Sequence, residues 1–237
     1  MRVLAIETAA GDVAAGIGDE SGPIAVLAAR AGHRHVELLH PMVAEVCRLA
    51  GVCLGELDAV AVDIGPGLFT GIRVGLAAAK GFALGLGIPI VALTSLEIIA
   101  AALEPVRQSG SVVVPVVDLR RDEVGWAVAG PGEPLGPARL SRPEHVAREV
   151  ARLVTDGERV VLAGDGARRY ADLFPLAAAL AGPELSSPPV ASLAVRAVSA
   201  LAAGAVSDPF DVKPAYLREP DARINWSKMH TGTAKER

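Results

Sequence analysis

The sequence predicts an α/β protein of two related halves, each a mixed five-stranded sheet flanked by helices, within its 237 residues. Three observations carry this prediction. Short apolar runs bounded by glycine alternate with segments of helical periodicity. An apolar strand ending in an acid opens each half, Met1 to Glu7 and then Ser111 to Asp118. The order strand, glycine loop, helix occurs in both halves, which reads as an internal duplication.

In chain order, Met1 to Glu7, Val13 to Gly18 and Pro23 to Ala29 form an antiparallel meander with Gly11 and Gly22 at its turns. From Val36, the residues Leu39, Val43, Val46, Cys47 and Ala50 fall on one helical face that Gly51 ends, and Pro41 should kink this helix. Leu57 to Ile64 is the next strand, followed by the loop GPGLFTG and a helix from Gly71 to Leu86. Thr70 is placed to cap that helix. Ile88 to Leu93 is a strand, and Thr94 with Glu97 forms a capping box for a helix that Pro105 terminates. In the second half, Ser111 to Asp118 leads through LRRDE to Val124 to Ala129. Ser141 with Glu144 caps another helix, and Arg159 to Ala163 runs through Gly164-Asp165-Gly166 into a further one. A last helix spans Ser192 to Ala203. The expected boundaries are 1–104, 105–220 and a frayed tail at 221–237. Two such halves describe the actin-like (ASKHA) superfamily, with tandem ribonuclease-H-like domains; that step is an analogy of fold.

A chain of this size can bury about 70 to 75% of its unfolded surface. Aromatic residues are only 3% of the sequence, so the core must be built from Ala, Val, Leu and Ile. The formal charge of −4 offers no cationic field for phosphates, which argues against direct, strong nucleic-acid binding. Cys47 and Cys53 have no zinc-ligand spacing and read as reduced, inert thiols. Glu7 and Asp12 interrupt the apolar stretch a signal peptide would need, which implies a cytoplasmic protein. Arg73, Lys80 and several glycines interrupt Gly71 to Leu93, which argues against a membrane span and for a buried helix.

The segment Gly65-Pro66-Gly67-Leu68-Phe69-Thr70-Gly71-Ile72-Arg73-Val74-Gly75 resembles the GPGxFTGxRxG motif of the TsaB family and its paralogue TsaD. RVLAIETA, HVELLHPMV, VVDLRRDEVGWAVA and KPAYLRE extend the resemblance to TsaB across most of the chain. In the loop, Gly65 and Gly67 permit a tight turn and Pro66 stiffens it. Its N–H groups and the helix dipole would also suit an anion.

The resemblance implies an accessory subunit without catalysis of its own. Such a subunit acts in forming N6-threonylcarbamoyladenosine next to the anticodon of tRNAs that read codons beginning with A. It implies TsaD as heterodimer partner, help in recruiting TsaE, a homodimer in isolation, and contact with tRNA only through the complex. In the family, pairing with TsaD uses the first helices of the amino-terminal domains, here 35–50 and 71–86. On these the expected contacts are Val36, Leu39, Val43, Gly71, Arg73, Gly75, Ala78, Ala79 and Phe82. Gly71, Gly75, Ala78, Ala79 and Phe82 read as a strip where another helix can approach closely.

Glu7 and Asp118 occupy the strand ends where this superfamily places acids for nucleotide chemistry. With Thr8, Gly164 and Gly166 they form at most a vestigial nucleotide cleft, and turn capping is the preferred account of both acids. No cofactor is expected to bind tightly, although a weakly held nucleotide at an interface fits the layout. His33, His35 and His40 lack the four-residue spacing that puts two ligands on one helix face, so no metal is assigned. Asp118, Arg120, Arg121, Asp122 and Glu123 read as a solvated hairpin turn, and Tyr216-Leu217-Arg218 as a tail docked on the body. The alternatives are an ATP-dependent small-molecule kinase of the same fold and a metallopeptidase-like protein.

Overall fold

The computed structural model describes residues 1–218; the segment 221–237, expected to be a frayed tail, lies outside them. A meander of β1 (Val3–Glu7), β2 (Asp12–Asp19) and β3 (Gly22–Arg30) is followed by α1 (His35–Ala50), β4 (Ala59–Asp63), α2 (Phe69–Leu86) and β5 (Ile90–Leu93). The strands form one sheet in the order β3-β2-β1-β4-β5, antiparallel in the meander and parallel from β1 to β5. The chain continues through α3 (Ser95–Ala102) and α4 (Glu104–Gln108) to β6 (Val112–Asp118), β7 (Val124–Trp126) and β8 (Arg139–Ser141). Then come α5 (Pro143–Thr155), β9 (Val160–Ala163), α6 (Asp165–Arg169), β10 (Ala179–Leu180) and α7 (Val190–Ala202). The second sheet has the order β10-β9-β6-β7-β8. Read from β8, it repeats the first sheet strand for strand.

Strand periodicity sets the layers, because successive side chains point to opposite faces. On β1, Leu4 and Ile6 pack toward α1 and α2, whereas Val3 and Ala5 pack toward α7. On β6, Val112, Val114 and Val116 pack with Val146 and Val150 of α5, whereas Val113 and Val117 meet Leu96 and Ile99 of α3. The layers therefore run α1 and α2, first sheet, α7 and α3, second sheet, α5 and α6. The two central helices exchange places relative to the chain: α3 follows the first sheet but packs on β6, and α7 follows the second sheet but packs on β1 and β2. Both faces of each central strand are covered, which is why β1, β4 and β6 are apolar without alternation.

Several local expectations hold. Gly51 closes α1 in the left-handed region at φ 66°. Thr94 Oγ1 accepts from Glu97 N at 3.2 Å while Glu97 Oε2 accepts from Thr94 N at 2.7 Å, completing the capping box. Others need correction. Thr70 is no cap: α2 starts at Phe69, with Leu68 preceding it and no side-chain cap. Ser141 ends β8, and α5 starts at Pro143 without a side-chain cap, because proline at the first position brings a preset φ and no donor. Pro105 stands in the first turn of α4 rather than closing α3. Pro41 lies inside α1, which runs on through it to Ala50.

By length and composition α2 is apolar enough to cross a membrane, yet it packs on β4, β1 and β5. It is not a buried helix, however. One third of it is fully buried, Val74, Ala78, Phe82 and Leu86 are partly buried against the core, and one face, including Thr70, Arg73, Ala77 and Gly81, is exposed.

Candidate functional site

The open face of α2, together with α1, builds the site. Gly71 and Gly75 turn inward: a Cβ on Gly71 would lie 1.9 Å from the carbonyl oxygen of Thr8, and one on Gly75 2.2 Å from Thr8 Oγ1. Only glycine lets α2 settle this close to the end of β1, where Thr8 Oγ1 donates to Gly71 O at 2.8 Å. Since residues three and four apart share a helix face, this inward choice exposes Thr70, Arg73, Ala77 and Gly81. Beside them Val36 and His40 of α1 stand exposed, with His40 tilted 5.7 Å from the ring of Phe82. Together these residues and Phe69, Val74 and Ala78 line an open groove of about 700 Å³. The groove has a small-residue floor at Ala77, Ala78 and Gly81, and one cation, Arg73, at its end. An apolar face of this kind fits another helix rather than a polar small molecule.

The glycine loop anchors that helix. Gly65 adopts φ 96°, and a Cβ on Gly67 would lie 2.3 Å from the carbonyl oxygen of Ala9. Gly65 N donates to Asp63 Oδ1 at 2.7 Å and Leu68 N to Ala9 O at 2.7 Å, so two loop donors are spent on the protein itself. Pro66 is buried, with its ring edge toward Gly125 of β7. The segment Tyr216-Leu217-Arg218 returns to the same place. Tyr216 stacks on Phe69 at 5.0 Å, the Arg73 guanidinium lies 3.6 Å above the Phe69 ring, and Arg73 Nε donates to Tyr216 Oη at 3.0 Å. Ala215 N donates to Ile64 O at 2.8 Å, and Arg218 pairs with Glu123. The expected docking of this tail segment is thus what the structure shows.

In the first half β1 and β4 end in acids; in the second β6 ends in Asp118, and Asp165 opens α6 two residues past the end of β9. Glu7 and Asp63, 1% and 0% exposed, stand side by side one step past the Ile6–Val62 pair of β1 and β4. Glu7 Oε1 accepts from the amides of Ala9 (2.7 Å) and Ala10 (3.2 Å), and Asp63 Oδ1 accepts from Gly65 N and from Ser95 Oγ (2.8 Å). Burial, then the Asp63 charge, holds the Glu7 carboxyl well above the usual carboxylate range, and burial also raises Asp63. In the second half, Asp118 Oδ2 pairs with Arg120 (3.0 Å) and Arg169 (3.1 Å), while Asp165 Oδ1 accepts from Asp118 N at 2.8 Å. Burial pushes Asp165 up to about 6. Gly164, at φ 103°, and Gly166 are packing positions: a Cβ would meet Val116 O at 2.1 Å and Val117 C at 2.9 Å. Arg120, Arg121 and Asp122 all take positive φ, held by the bond from Arg120 N to Asp118 Oδ1 at 2.9 Å.

A profile of the family described as TsaD, tRNA N6-adenosine threonylcarbamoyltransferase, matches residues 25–226. An uncharacterized protein of Mycobacterium leprae is 35% identical over 93% of this chain, which spans 56% of that relative's length. The Escherichia coli tRNA threonylcarbamoyladenosine biosynthesis protein TsaB is 32% identical over 54% of each chain. A crystal structure of a Pseudomonas aeruginosa protein described as similar to peptidase YeaZ superposes with a TM-score of 0.79 at 29% identity, covering 92% of this chain and 99% of that one. The chain belongs to the TsaB (YeaZ) family.

Within this TsaB-family chain, the structure sorts the nine expected contact residues into two sets. Val36, Arg73, Ala78 and Phe82 line the groove. Leu39, Val43 and Ala79 instead sit in the core between α1, α2 and the sheet, and Gly71 and Gly75 press on Thr8. The strip read on Gly71, Gly75 and Ala79 is therefore the inward face. His40, Val74, Ala77 and Gly81 were missed. The period of Thr70, Arg73, Ala77 and Gly81 was available in the sequence, but α2 is apolar around most of its circumference and periodicity alone could not rank its faces. Of the loop residues, Phe69 and Thr70 reach the groove, whereas Gly65, Pro66 and Gly67 shape the turn. Of the three histidines near α1, His35 is buried and lies 3.3 Å from Ala10 O, and His33 and His40 are exposed. Cys47 and Cys53 are free thiols, and burial raises the Cys47 thiol.

Proposed function

We propose that this chain is the accessory, non-catalytic subunit of a tRNA threonylcarbamoyladenosine-forming assembly, and that the groove between α1 and α2 receives the first helices of a TsaD-type partner. The observation that carries this reading is the unfilled apolar face of α2, an 18-residue helix whose other face is committed to the sheet. Family membership supplies the pathway. The engaged state of the strand-end residues supports a role without nucleotide turnover: Glu7 and Asp63 lie side by side and accept from nearby amides, and Gly164 and Gly166 are consumed by packing. The repeated strand order supports reading the halves as tandem domains. On the same reading the groove also pairs two copies of the chain when TsaD is absent. TsaE joins the TsaD-bound form, tRNA is reached only through the complex, any nucleotide is held weakly at an interface, and the protein works in the cytoplasm.

The deciding experiment uses Gly81→Arg. A Cβ at Gly81 meets nothing within 4 Å, so the substitution leaves the monomer undisturbed and fills the groove with a charged side chain. Wild-type chain should co-elute with its cognate TsaD and restore threonylcarbamoylation in a reconstituted system. The variant should stay folded and do neither. Undiminished modification in the absence of this chain would refute the accessory role, and co-elution of Gly81→Arg would refute the assignment of the face.

A further inference from the structure

Two carboxyl groups buried side by side cannot both be ionised without a cation to offset them. Among the described residues no ion pair reaches Glu7 or Asp63, and each keeps one oxygen, Oε2 and Oδ2, with no ordinary partner. A hydrogen bond between the two carboxyls satisfies both oxygens and requires one proton. We infer that Glu7 and Asp63 form a proton-binding site that locks together the two strand-end loops carrying the start of α2, so that losing the proton loosens the adjoining groove.

The connections are short. Glu7 Oε1 holds the amides of Ala9 and Ala10, and Ala9 O holds the amide of Leu68, the residue before α2. Thr8, next to Glu7, bonds Gly71. Asp63 Oδ1 holds the amide of Gly65 and the hydroxyl of Ser95, so the base of the glycine loop and the start of α3 depend on the same pair. Other charged groups on the packed elements favour a single negative charge. Glu97 of α3 opposes a second one. From α1, His35 is buried with Nε2 3.3 Å from Ala10 O; Arg73 of α2, Arg196 of α7 and Lys213 are exposed, and the half-buried Lys80 lies on the far part of α2. Each acid already receives two donors through one oxygen; the proton belongs on Glu7, where burial and the Asp63 charge disfavour ionisation, while bonds from Glu7, Gly65 and Ser95 favour Asp63 as the anion.

The sign follows by linkage. Above about pH 4.3, the ordinary glutamate value, the closed form keeps a proton that the opened form releases. Closure therefore weakens by about tenfold per pH unit until the closed form is itself deprotonated, beyond which it levels off. Difference infrared spectroscopy of the full chain should show the carbonyl stretch of a protonated carboxyl at neutral pH, absent in Glu7→Gln. Hydrogen exchange at Ala9, Ala10, Gly65 and Leu68, corrected for intrinsic rates, should lose protection about tenfold per pH unit in the wild type until that band disappears. Glu7→Gln, which keeps the bonds without the proton, should show no such slope. Absence of the band in the wild type, or an equal slope in the variant, overturns the inference. Should Glu7→Gln fail to fold, the wild type decides alone, because a slope not ending with the band also overturns it.

Discussion

Adding one methyl group at two glycines of the same helix should have opposite effects. At Gly81 the new Cβ enters open space, and replacing glycine by alanine in a helix interior stabilises by about 0.8–1 kcal/mol. In a chain of this length that raises Tm by about 2–4 °C. At Gly75 the same gain is outweighed. The Cβ would stand 2.2 Å from Thr8 Oγ1, more than 1 Å inside ordinary contact, and Thr8 is 0% exposed. Overpacking of this kind costs about 1–3 kcal/mol. Displacing Thr8 also strands its buried hydroxyl from Gly71 O, at about 1–3 kcal/mol. The net effect of Gly75→Ala is a loss of about 1–5 kcal/mol, leaving the two variants separated by about 2 kcal/mol or more. Urea denaturation of both, compared at equal m-value, measures the difference. If Gly75→Ala proved as stable as Gly81→Ala, the inward orientation of Gly75 would be wrong, and the outward strip of α2 with it.

Two other measurements probe the parts that frame the groove. Tyr216→Ala removes the stack on Phe69 and the bond from Arg73, so it should cost about 1–3 kcal/mol and speed hydrogen exchange at Ala215, whereas Tyr216→Phe should cost about 1 kcal/mol or less. Asp165, raised to about 6, binds a proton in the folded state that the unfolded chain has released by about pH 4. Its contribution is therefore full below pH 4 and is lost as pH rises to about 6, amounting to at most about 2–3 kcal/mol. Asp165→Asn keeps an acceptor for Asp118 N and should flatten that part of the stability profile while raising stability at pH 7.

Much of the fold was legible because each element carries a local cause. Acid-ended apolar strands, the Thr94–Glu97 box and the left-handed stop at Gly51 act within a few residues of one another, and sequence spacing reports them. The caps assigned to Thr70 and Ser141 failed for the opposite reason. Phe69 and Pro143 begin those helices under constraints from the loop and strand before them, which outweigh the side chain's preference. The pairing of Glu7 with Asp63 depends on the register of β1 against β4, across more than fifty residues of chain, and no local pattern announces it.

By itself the sequence determined the repeated order of strand, glycine loop and helix, the opening meander and the glycine loop ahead of a long apolar helix. These follow from turn chemistry and periodicity; the sheet order and the short strands β8 and β10 came from the structure. Only the tertiary structure decided which face of α2 is inside, because the helix is apolar around most of its circumference and the close approach of Thr8 to Gly71 and Gly75 breaks the tie. It also decided that α3 and α7 trade sheets, since each buries its apolar face wherever the opposing layer leaves room.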